Sequence, residues 1–299
     1  MKLDELINEI IEDSSSGASQ LTLKAANAYL KLLEGKPSLR AVRRLTKLLT
    51  SARPSMPSIA NIAYRIQGLT SEYVSKGIEL GEALSEAVRV AVSEYKESLR
   101  KVLRNAQEVL GRYDSVLTHS YSSTVAAAVE GNDRLRVYVT ESRPGYEGRR
   151  LAERLARRGL RVTLIVDAAA SYVLEREPVD AVVIGCDAIL DDGSIANKIG
   201  SKMIALAAKQ FEIPLNVVTD LWKAAIHGFS PELHPPEEVY EGVERISILN
   251  PYFEIVPSSL ISLFVSEEIA DPRNFLNHLK EFCDKLMPSG RTGRARAQI

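Results

Sequence analysis

The sequence has few of the residues that build disulfide or metal frameworks: 2 cysteines and 4 histidines in 299 residues. Cys186 and Cys283 lie far apart and match no zinc spacing, and a structural disulfide is not expected. No apolar run is long enough to cross a bilayer. The start, MKLDELINEIIED, predicts an acidic amphipathic helix and lacks the basic first region of a secretory signal. We therefore expect a cytoplasmic protein with no membrane contact, no metal and no other cofactor.

The chain also lacks an excess of either charge, since 38 Lys and Arg balance 39 Asp and Glu. A general electrostatic attraction to nucleic acid is therefore not expected. Only the end of the chain, from Arg291 to Arg296, is locally basic, and we interpret it as a solvated tail. The apolar content of 45% and the charged content of 26% are typical of a globular protein.

The first third of the chain has helical periodicity and no convincing strand. Residues 18–33 place their apolar side chains near one helical face, and a second helix covers Leu39–Leu49. Arg53-Pro54 closes that helix, because a residue before proline avoids the helical region. We expect a further helix to start after Thr70-Ser71, which are good capping residues. Residues 1–110 are therefore predicted to form a helical domain.

From residue 111 to residue 299, short β-branched runs alternate with helical segments. This alternation predicts βαβ crossovers and a Rossmann-like α/β domain with a mainly parallel sheet. We expect Asn197-Lys198 to open a helix, and a terminal helix to cover residues 272–285. The predicted strands are Ser115–Thr118, Arg136–Thr140, Arg161–Val166, Ala181–Ile184, Leu215–Thr219 and, as the last one, Phe253–Val256.

Polar side chains collect where these strands end, which is where ligands bind in an open parallel sheet. The segment THSYSS, residues 118–123, follows the first strand and leads into a helix. Free N–H groups and the helix dipole make such a junction suitable for an anion. An ordinary Ser/Thr helix cap explains the same pattern, and the sequence leaves both interpretations open.

The loops after the second, fourth and fifth strands carry the other candidates. Arg143 can hold a phosphate or carboxylate with two hydrogen bonds, or it can pair with Glu141 or Glu147. Asp187 follows a buried strand, a position that suits general acid–base work, or it caps the next segment. Asn197 and Lys198 offer an amide and an ammonium to a ligand, or Lys198 is a solvated charge. The same two interpretations apply to Lys223.

Several segments, in order along nearly the whole chain, resemble one family. It joins the alpha, beta and delta regulatory subunits of initiation factor 2B to isomerases of methylthioribose-1-phosphate and ribose-1,5-bisphosphate. Within this family the alpha subunit resembles the chain most in sequence pattern, above all in the segments VYVTESRP and VDAAASY. The matching segments are ASQLTLKAA, ARPSMPSIAN, LTHSYSSTV, VYVTESRPGYEG, VTLIVDAAASYVLE, VVIGCDAILDDGSIANKIGSKMIALAAK and NPYFEIVPSSLI.

The resemblance implies that the isomerases use a catalytic pair of a cysteine and an aspartate. Asp187 corresponds to the aspartate. Their cysteine, in a Thr-His-Cys setting, corresponds to Ser120 here, and an arginine near their N-terminus corresponds to Ser16. A serine hydroxyl transfers protons poorly near neutral pH. The residues expected to bind a ligand are Arg53, Thr118, His119, Tyr121, Ser122, Arg143, Asn197, Lys198 and Lys223.

Because the cysteine is missing, we expect an alpha-like regulatory subunit of initiation factor 2B rather than an enzyme. It would bind a sugar phosphate or nucleotide, contact the alpha subunit of initiation factor 2, and form a homodimer through its α/β domains. The alternative is an aldose-phosphate isomerase that acts on ribose-1,5-bisphosphate or methylthioribose-1-phosphate. The retained Asp187 favours that alternative.

Overall fold

The computed structural model describes residues 3–13, 17–231, 233–242 and 245–286. They divide into two compact units. The first takes in the described residues of Met1–Ser98, Leu221–Ser230 and Leu279–Ile299, and the second contains Leu99–Asp220 and Pro231–His278. Ser16 and the basic tail lie outside the described residues, and a domain boundary at residue 110 stays a prediction.

Helices build the first part of the chain, as predicted. Ser38 begins the third of them by accepting a hydrogen bond from the N–H of Ala41 at 3.1 Å. The fourth has Pro57 at its first position and buries Ile59, Ile62 and Ile66 in the core of the first unit. The helices are α1 (Leu3–Glu12), α2 (Ala18–Ala28), α3 (Leu39–Ala52), α4 (Pro57–Ser75) and α5 (Leu80–Leu110).

The prediction that a helix starts after Thr70-Ser71 was wrong, because both residues lie inside α4. The Thr70 hydroxyl donates to the carbonyl oxygen of Ile66 at 2.7 Å, and the Ser71 hydroxyl donates to that of Gln67 at 2.9 Å. Hydroxyls that bond back to the preceding turn fit a helix interior, so residue type alone did not identify a cap. Helix α5 begins only at Leu80.

The second unit is built on a seven-stranded sheet, which confirms the predicted α/β class. Its strands are β1 (Ser115–Thr118), β2 (Arg136–Thr140), β3 (Arg161–Ile165), β4 (Ala181–Ile184), β7 (Leu215–Val218), β9 (Leu263–Val265) and β10 (Ile269–Ala270). The strand order is β10-β9-β7-β4-β1-β2-β3, and every pair is parallel except β9 with β10. The order runs outward in both directions from β1 and β4, so these two strands form the switch point of the sheet.

A smaller antiparallel sheet contains β5 (Ala188–Ile189), β6 (Ile195–Lys198) and β8 (Phe253–Val256). Two predictions were therefore wrong. Asn197 and Lys198 end a strand instead of opening a helix, and β8 is neither the last strand nor a member of the main sheet. Gly200 separates β6 from the helix that follows, with a φ of 101° that a side chain would strain.

The helices of the second unit cover the main sheet. These helices are α6 (Ser123–Val129), α7 (Glu147–Arg157), α8 (Ala170–Arg176), α9 (Ser201–Gln210) and α10 (Pro272–Leu286), the last of which extends into the first unit. Apolar residues of β1, β2 and β4 pack with α6, α7 and the end of α5 in one buried cluster. No helix formed by the residues that the structure describes is long and apolar enough to cross a membrane.

Candidate functional site

The loops after β1 and β4 touch each other at the switch point of the sheet. A β-carbon built on Gly185, directly after β4, would lie 2.8 Å from the Cβ of Ser122. Ser122 caps α6 by accepting a hydrogen bond from the N–H of Val125 at 3.3 Å. Only glycine allows the two loops to approach this closely. The predicted site residues that follow β1 and β4 therefore share one edge of the sheet.

His119 ties the β1 loop to two other segments. Its Nε2 lies 2.8 Å from the carbonyl oxygen of Ile199, and its Nδ1 lies 2.6 Å from the hydroxyl of Thr140 at the end of β2. Burial lowers the pKa of His119, so the ring is neutral near pH 7. Because a carbonyl only accepts, Nε2 carries the proton and Nδ1 accepts from Thr140. Both nitrogens are thus used within the protein.

The loop after β2 is held by a carboxylate from the end of β3. The two carboxylate oxygens of Asp167 accept from the main-chain N–H groups of Ser142 and Arg143, each at 2.7 Å. The Ser142 hydroxyl in turn accepts from the main-chain N–H of Ser120 at 2.8 Å. Asp167 therefore fixes the backbone of Arg143 and, through Ser142, that of Ser120.

The guanidinium of Arg143 pairs with neither of the glutamates considered from the sequence. It donates to the hydroxyl of Tyr146 and, at 2.8 Å, to the carbonyl oxygen of Val239. Glu141 pairs instead with Arg149 at 2.6 Å. Neither partner of Arg143 is an anion, so its positive charge is not neutralised by these contacts and can attract an anionic ligand.

Lys198 and Glu147 form a buried ion pair beside this loop. The Nζ of Lys198 lies 2.8 Å from Oε1 of Glu147, and the side chains are 2% and 9% exposed. The Tyr252 hydroxyl donates to the same carboxylate, and its ring centroid lies 3.3 Å from Nζ. Lys198 is thus neither a solvated charge nor a helix-opening residue.

The charges around Lys198 extend to Asp187. Burial lowers the pKa of Lys198, while the charge of Glu147, and more weakly those of Glu238 and Asp187, oppose this shift. Burial would raise the pKa of Glu147, but Lys198 and the Tyr252 hydroxyl hold it below its usual value. Asp187 itself is half-buried, and its main-chain N–H donates to the carbonyl oxygen of Ala196 at 2.8 Å.

Ser120 stands in a strained backbone conformation between β1 and α6. Its φ is 65°, in the left-handed region that non-glycine residues rarely adopt. Such strain persists only where neighbouring contacts enforce it, and here Ser142 binds its main-chain N–H. The Ser120 hydroxyl has no hydrogen-bond partner in the described parts of the chain and is half-exposed. It is available to a ligand.

The other predicted site residues have protein contacts, and a role in binding stays a prediction for each. Thr118 is buried at the end of β1, and the Tyr121 hydroxyl accepts from Arg154 at 2.8 Å. The Asn197 amide donates to the Ser201 hydroxyl at 2.8 Å. In the first unit, Arg53 donates to the carbonyl oxygens of residues 11 and 13, and Lys223 is buried in a short 3₁₀ turn.

Sequence reasoning missed Glu147, Tyr252 and Ser142 as parts of this site. Glu147 was weighed only as a partner of Arg143, and it pairs with a residue 51 positions away. Asp167 follows the third predicted strand and is among the polar residues at the strand ends, but sequence reasoning gave it no role. Among the residues described, no group of three or more His, Cys, Asp or Glu side chains could hold a metal ion.

A family model described as the initiation factor 2 subunit family matches residues 7–268. Ribose 1,5-bisphosphate isomerase of Methanocaldococcus jannaschii is 31% identical, over 76% of this chain and 75% of its own length. Methylthioribose-1-phosphate isomerase of Thermotoga neapolitana is 29% identical, over 89% of this chain and 85% of its own length.

Solved structures share the fold over almost the whole chain. 5-Methylthioribose 1-phosphate isomerase of Pyrococcus horikoshii matches with a TM-score of 0.76 and 25% identity, over 94% of this chain and 88% of that one. Translation initiation factor eIF-2B of the same organism matches with a TM-score of 0.78, over 92% and 98%. Its identity of 24% shows the fold alone. A chain of the tetrameric eIF2B beta–delta complex of C. thermophilum also matches, with a TM-score of 0.70, so chains of this fold form oligomers.

These names correct the main functional prediction. A regulatory subunit of translation initiation that contacts initiation factor 2 was expected because Ser120 replaces a cysteine. That expectation was wrong: relatives that span most of the chain are named as isomerases, and a matching structure is an isomerase. One substitution had been given more weight than the retained Asp187. With its fold and nearly its whole length matched, the chain belongs to the initiation factor 2 subunit family.

Proposed function

We propose that this protein is an aldose–ketose isomerase whose substrate is a ribose derivative phosphorylated at C1. The observation that supports this most is the cluster at the switch point of the sheet. There Asp187 lies within electrostatic reach of the buried Lys198, and Lys198 pairs with the residue that starts α7. Relatives over most of the chain are named as isomerases of such sugars, which supports the same conclusion.

Positive charge beside the β2 and β6 ends suits an anionic sugar. Arg143 has a guanidinium whose protein partners are a hydroxyl and a carbonyl. Lys198 is a second cation of this cluster, buried and paired with Glu147. In a site shielded from water, such cations bind phosphate strongly and stabilise negative charge that develops on a sugar oxygen. We propose that these two side chains bind the phosphate and the oxygens at C1 and C2.

The reaction needs no oxidant, reductant or cofactor. Opening of the sugar ring breaks the bond between C1 and the ring oxygen, which takes up a proton and leaves C1 as an oxocarbenium carbon. A base then removes the proton from C2 to give an enol. A proton is added to C1 while the C2 hydroxyl loses its own proton and becomes a carbonyl. We propose that Asp187 is the base and that the Ser120 hydroxyl takes part in proton transfer, because it has no hydrogen-bond partner within the described chain.

NMR spectroscopy of product formation tests this proposal. Purified protein is incubated with ribose-1,5-bisphosphate and, separately, with methylthioribose-1-phosphate, and the ketose signals are followed. Turnover of one of them is expected, with a loss of at least about 100-fold in Asp187→Asn. Asp133→Asn, on the surface, is the control and should keep full activity. Absence of turnover with both sugars, or an unchanged rate in Asp187→Asn, would refute the proposal.

We further propose that the protein is a homodimer that pairs through the edge strand β3. This strand ends the main sheet, and Leu164 and Val166 are 47% and 56% exposed. They lie two residues apart on extended chain and so point to the same side. An apolar edge strand attracts a second chain unless it is covered.

Light scattering after size exclusion tests the assembly. The native protein is expected to have twice the mass of one chain. The double variant Leu164→Arg, Val166→Arg is expected to have the mass of a single chain. Leu249→Arg, at a residue that is 76% exposed elsewhere, is the matched control and should remain dimeric. A native monomer, or a dimer that survives both arginines, would refute pairing through β3.

A further inference from the structure

Glu147 forms a buried ion pair with Lys198. It is the first residue of α7, where the helix dipole favours a negative charge. One of its carboxylate oxygens, Oε1, is shared by the Lys198 ammonium and the Tyr252 hydroxyl. The other, Oε2, is buried without a hydrogen-bond partner within the described chain.

Such an arrangement is costly for stability alone. Burial of an ion pair often contributes little net free energy, and a buried oxygen without a hydrogen-bond partner destabilises the fold. The contact is therefore better explained by what it does to Lys198. Without a negative charge beside it, an ammonium that is 2% exposed would give up its proton at a lower pH.

We propose that Glu147 is a positioning residue that keeps Lys198 protonated and in place for substrate, and so sets the alkaline limit of binding. The inference rests on the proposed function of Lys198 as a cation for the sugar phosphate. The Tyr252 ring, 3.3 Å from Nζ, restricts the ammonium on a second side. The Tyr252 hydroxyl restricts the carboxylate in turn.

The other charged groups near Lys198 cannot replace Glu147. Glu238 and Asp187 act on Lys198 in the same direction but more weakly. His119 lies near both charges, and Glu147 raises its pKa while Lys198 lowers it, but burial is the larger effect and keeps the ring neutral. The Tyr252 hydroxyl has its pKa raised by burial and by Glu147, so it stays neutral over the working range. Removal of the Glu147 charge should thus act on Lys198 directly.

The direct test is a titration of the full-length protein with lysine labelled with ¹³C at Cε, followed by NMR. The Lys198 signal is assigned by its absence in Lys198→Met. In Glu147→Gln, which keeps the shape of the side chain, the titration midpoint is expected to fall by about 1–3 pH units. Glu147→Asp should restore part of the shift. Glu94→Gln, which removes a partly buried partner of Arg65, is the matched control and should leave the Lys198 titration midpoint unchanged.

Binding of ribose 5-phosphate, measured by calorimetry at two pH values, supplies a second readout. Glu147→Gln should bind within about twofold of the native protein at pH 6.5, and about tenfold more weakly at pH 8.5. An equal loss at both pH values, or a Lys198 midpoint that does not move, would overturn the inference. A protein that shows the NMR shift but isomerises neither sugar would refute the proposed reaction and leave the action of Glu147 on Lys198 standing.

Discussion

Gly148 and Thr140 approach each other so closely that no other residue fits in place of the glycine. A β-carbon built on Gly148 would lie 1.7 Å from the carbonyl oxygen of Thr140 and 2.9 Å from the Ser142 hydroxyl. The contact joins the first turn of α7 to the end of β2. It therefore sets the distance between Glu147 and the loop that carries Arg143.

Gly148→Ala is expected to destabilise the protein by at least about 2 kcal/mol, because the clash is with backbone and one element has to move. The midpoint of urea denaturation, followed by circular dichroism, measures this. Gly68→Ala is the control, since Gly68 is exposed within α4 and a β-carbon added there would meet no described atom within 4 Å. That change should stabilise by up to about 1 kcal/mol. Equal midpoints in the two variants would contradict the close approach.

Asp167→Ala tests whether the loop after β2 is held by that carboxylate. Removal of both oxygens leaves the main-chain N–H groups of Ser142 and Arg143 without their acceptors. We expect the affinity for ribose 5-phosphate, measured by calorimetry, to fall about tenfold, because Arg143 loses its fixed position. Asp180→Ala, which also removes an acceptor of two main-chain N–H groups but at the start of β1, is the control for general destabilisation. An equal loss of affinity in both would contradict a specific role for Asp167.

The stability of the first unit should depend on pH through His227. Burial lowers the pKa of His227 below its usual 6.5, so the folded chain keeps it neutral where the unfolded chain takes up a proton. Protons therefore favour the unfolded state, and stability falls as the pH drops through about 6.5. His227→Phe keeps the ring that stacks on Tyr64 at 4.0 Å and removes the titration. Its denaturation midpoint should fall less than that of the native protein between pH 7.5 and pH 5.5, and equal falls would contradict this.

Local patterns predicted the parts of the fold that local forces determine. The bounds of β1, β2 and β4 match the prediction, because short β-branched runs between turns have few other structures to adopt. The strand formed by Ile195–Lys198 was missed for the opposite reason. It exists by pairing with β8, more than fifty residues later, and its own sequence also suits a helix start.

The same distinction holds for the candidate site. Its location followed from the rule that ligands bind where parallel strands end, and the contact of Gly185 with Ser122 agrees with that location. The partner of Lys198 could not be predicted, because nothing local connects it to Glu147. Arg143 was compared with two nearby glutamates, but the fold uses both of them elsewhere.

Ser120→Cys tests whether the serine limits the proposed reaction. A thiol has a pKa of about 8.5 and exchanges protons near neutral pH far more readily than a serine hydroxyl. If Ser120 takes part in proton transfer, the cysteine should raise kcat for the accepted sugar by about tenfold or more, with the gain increasing as the pH approaches 8.5. Ser120→Ala should lower kcat below the native value. Initial rates by NMR at several pH values measure both.

The left-handed backbone at Ser120 tolerates this exchange, because serine and cysteine differ only in the last atom of the side chain. Ser75→Cys, at an exposed position in α4, controls for a free thiol and should leave kcat unchanged. Full activity in Ser120→Ala, together with no gain in Ser120→Cys, would remove Ser120 from the proposed proton transfer. Asp187 would then have to act with another group. The next candidate to test by substitution would be Cys186, whose buried thiol lies 2.9 Å from the Thr219 hydroxyl.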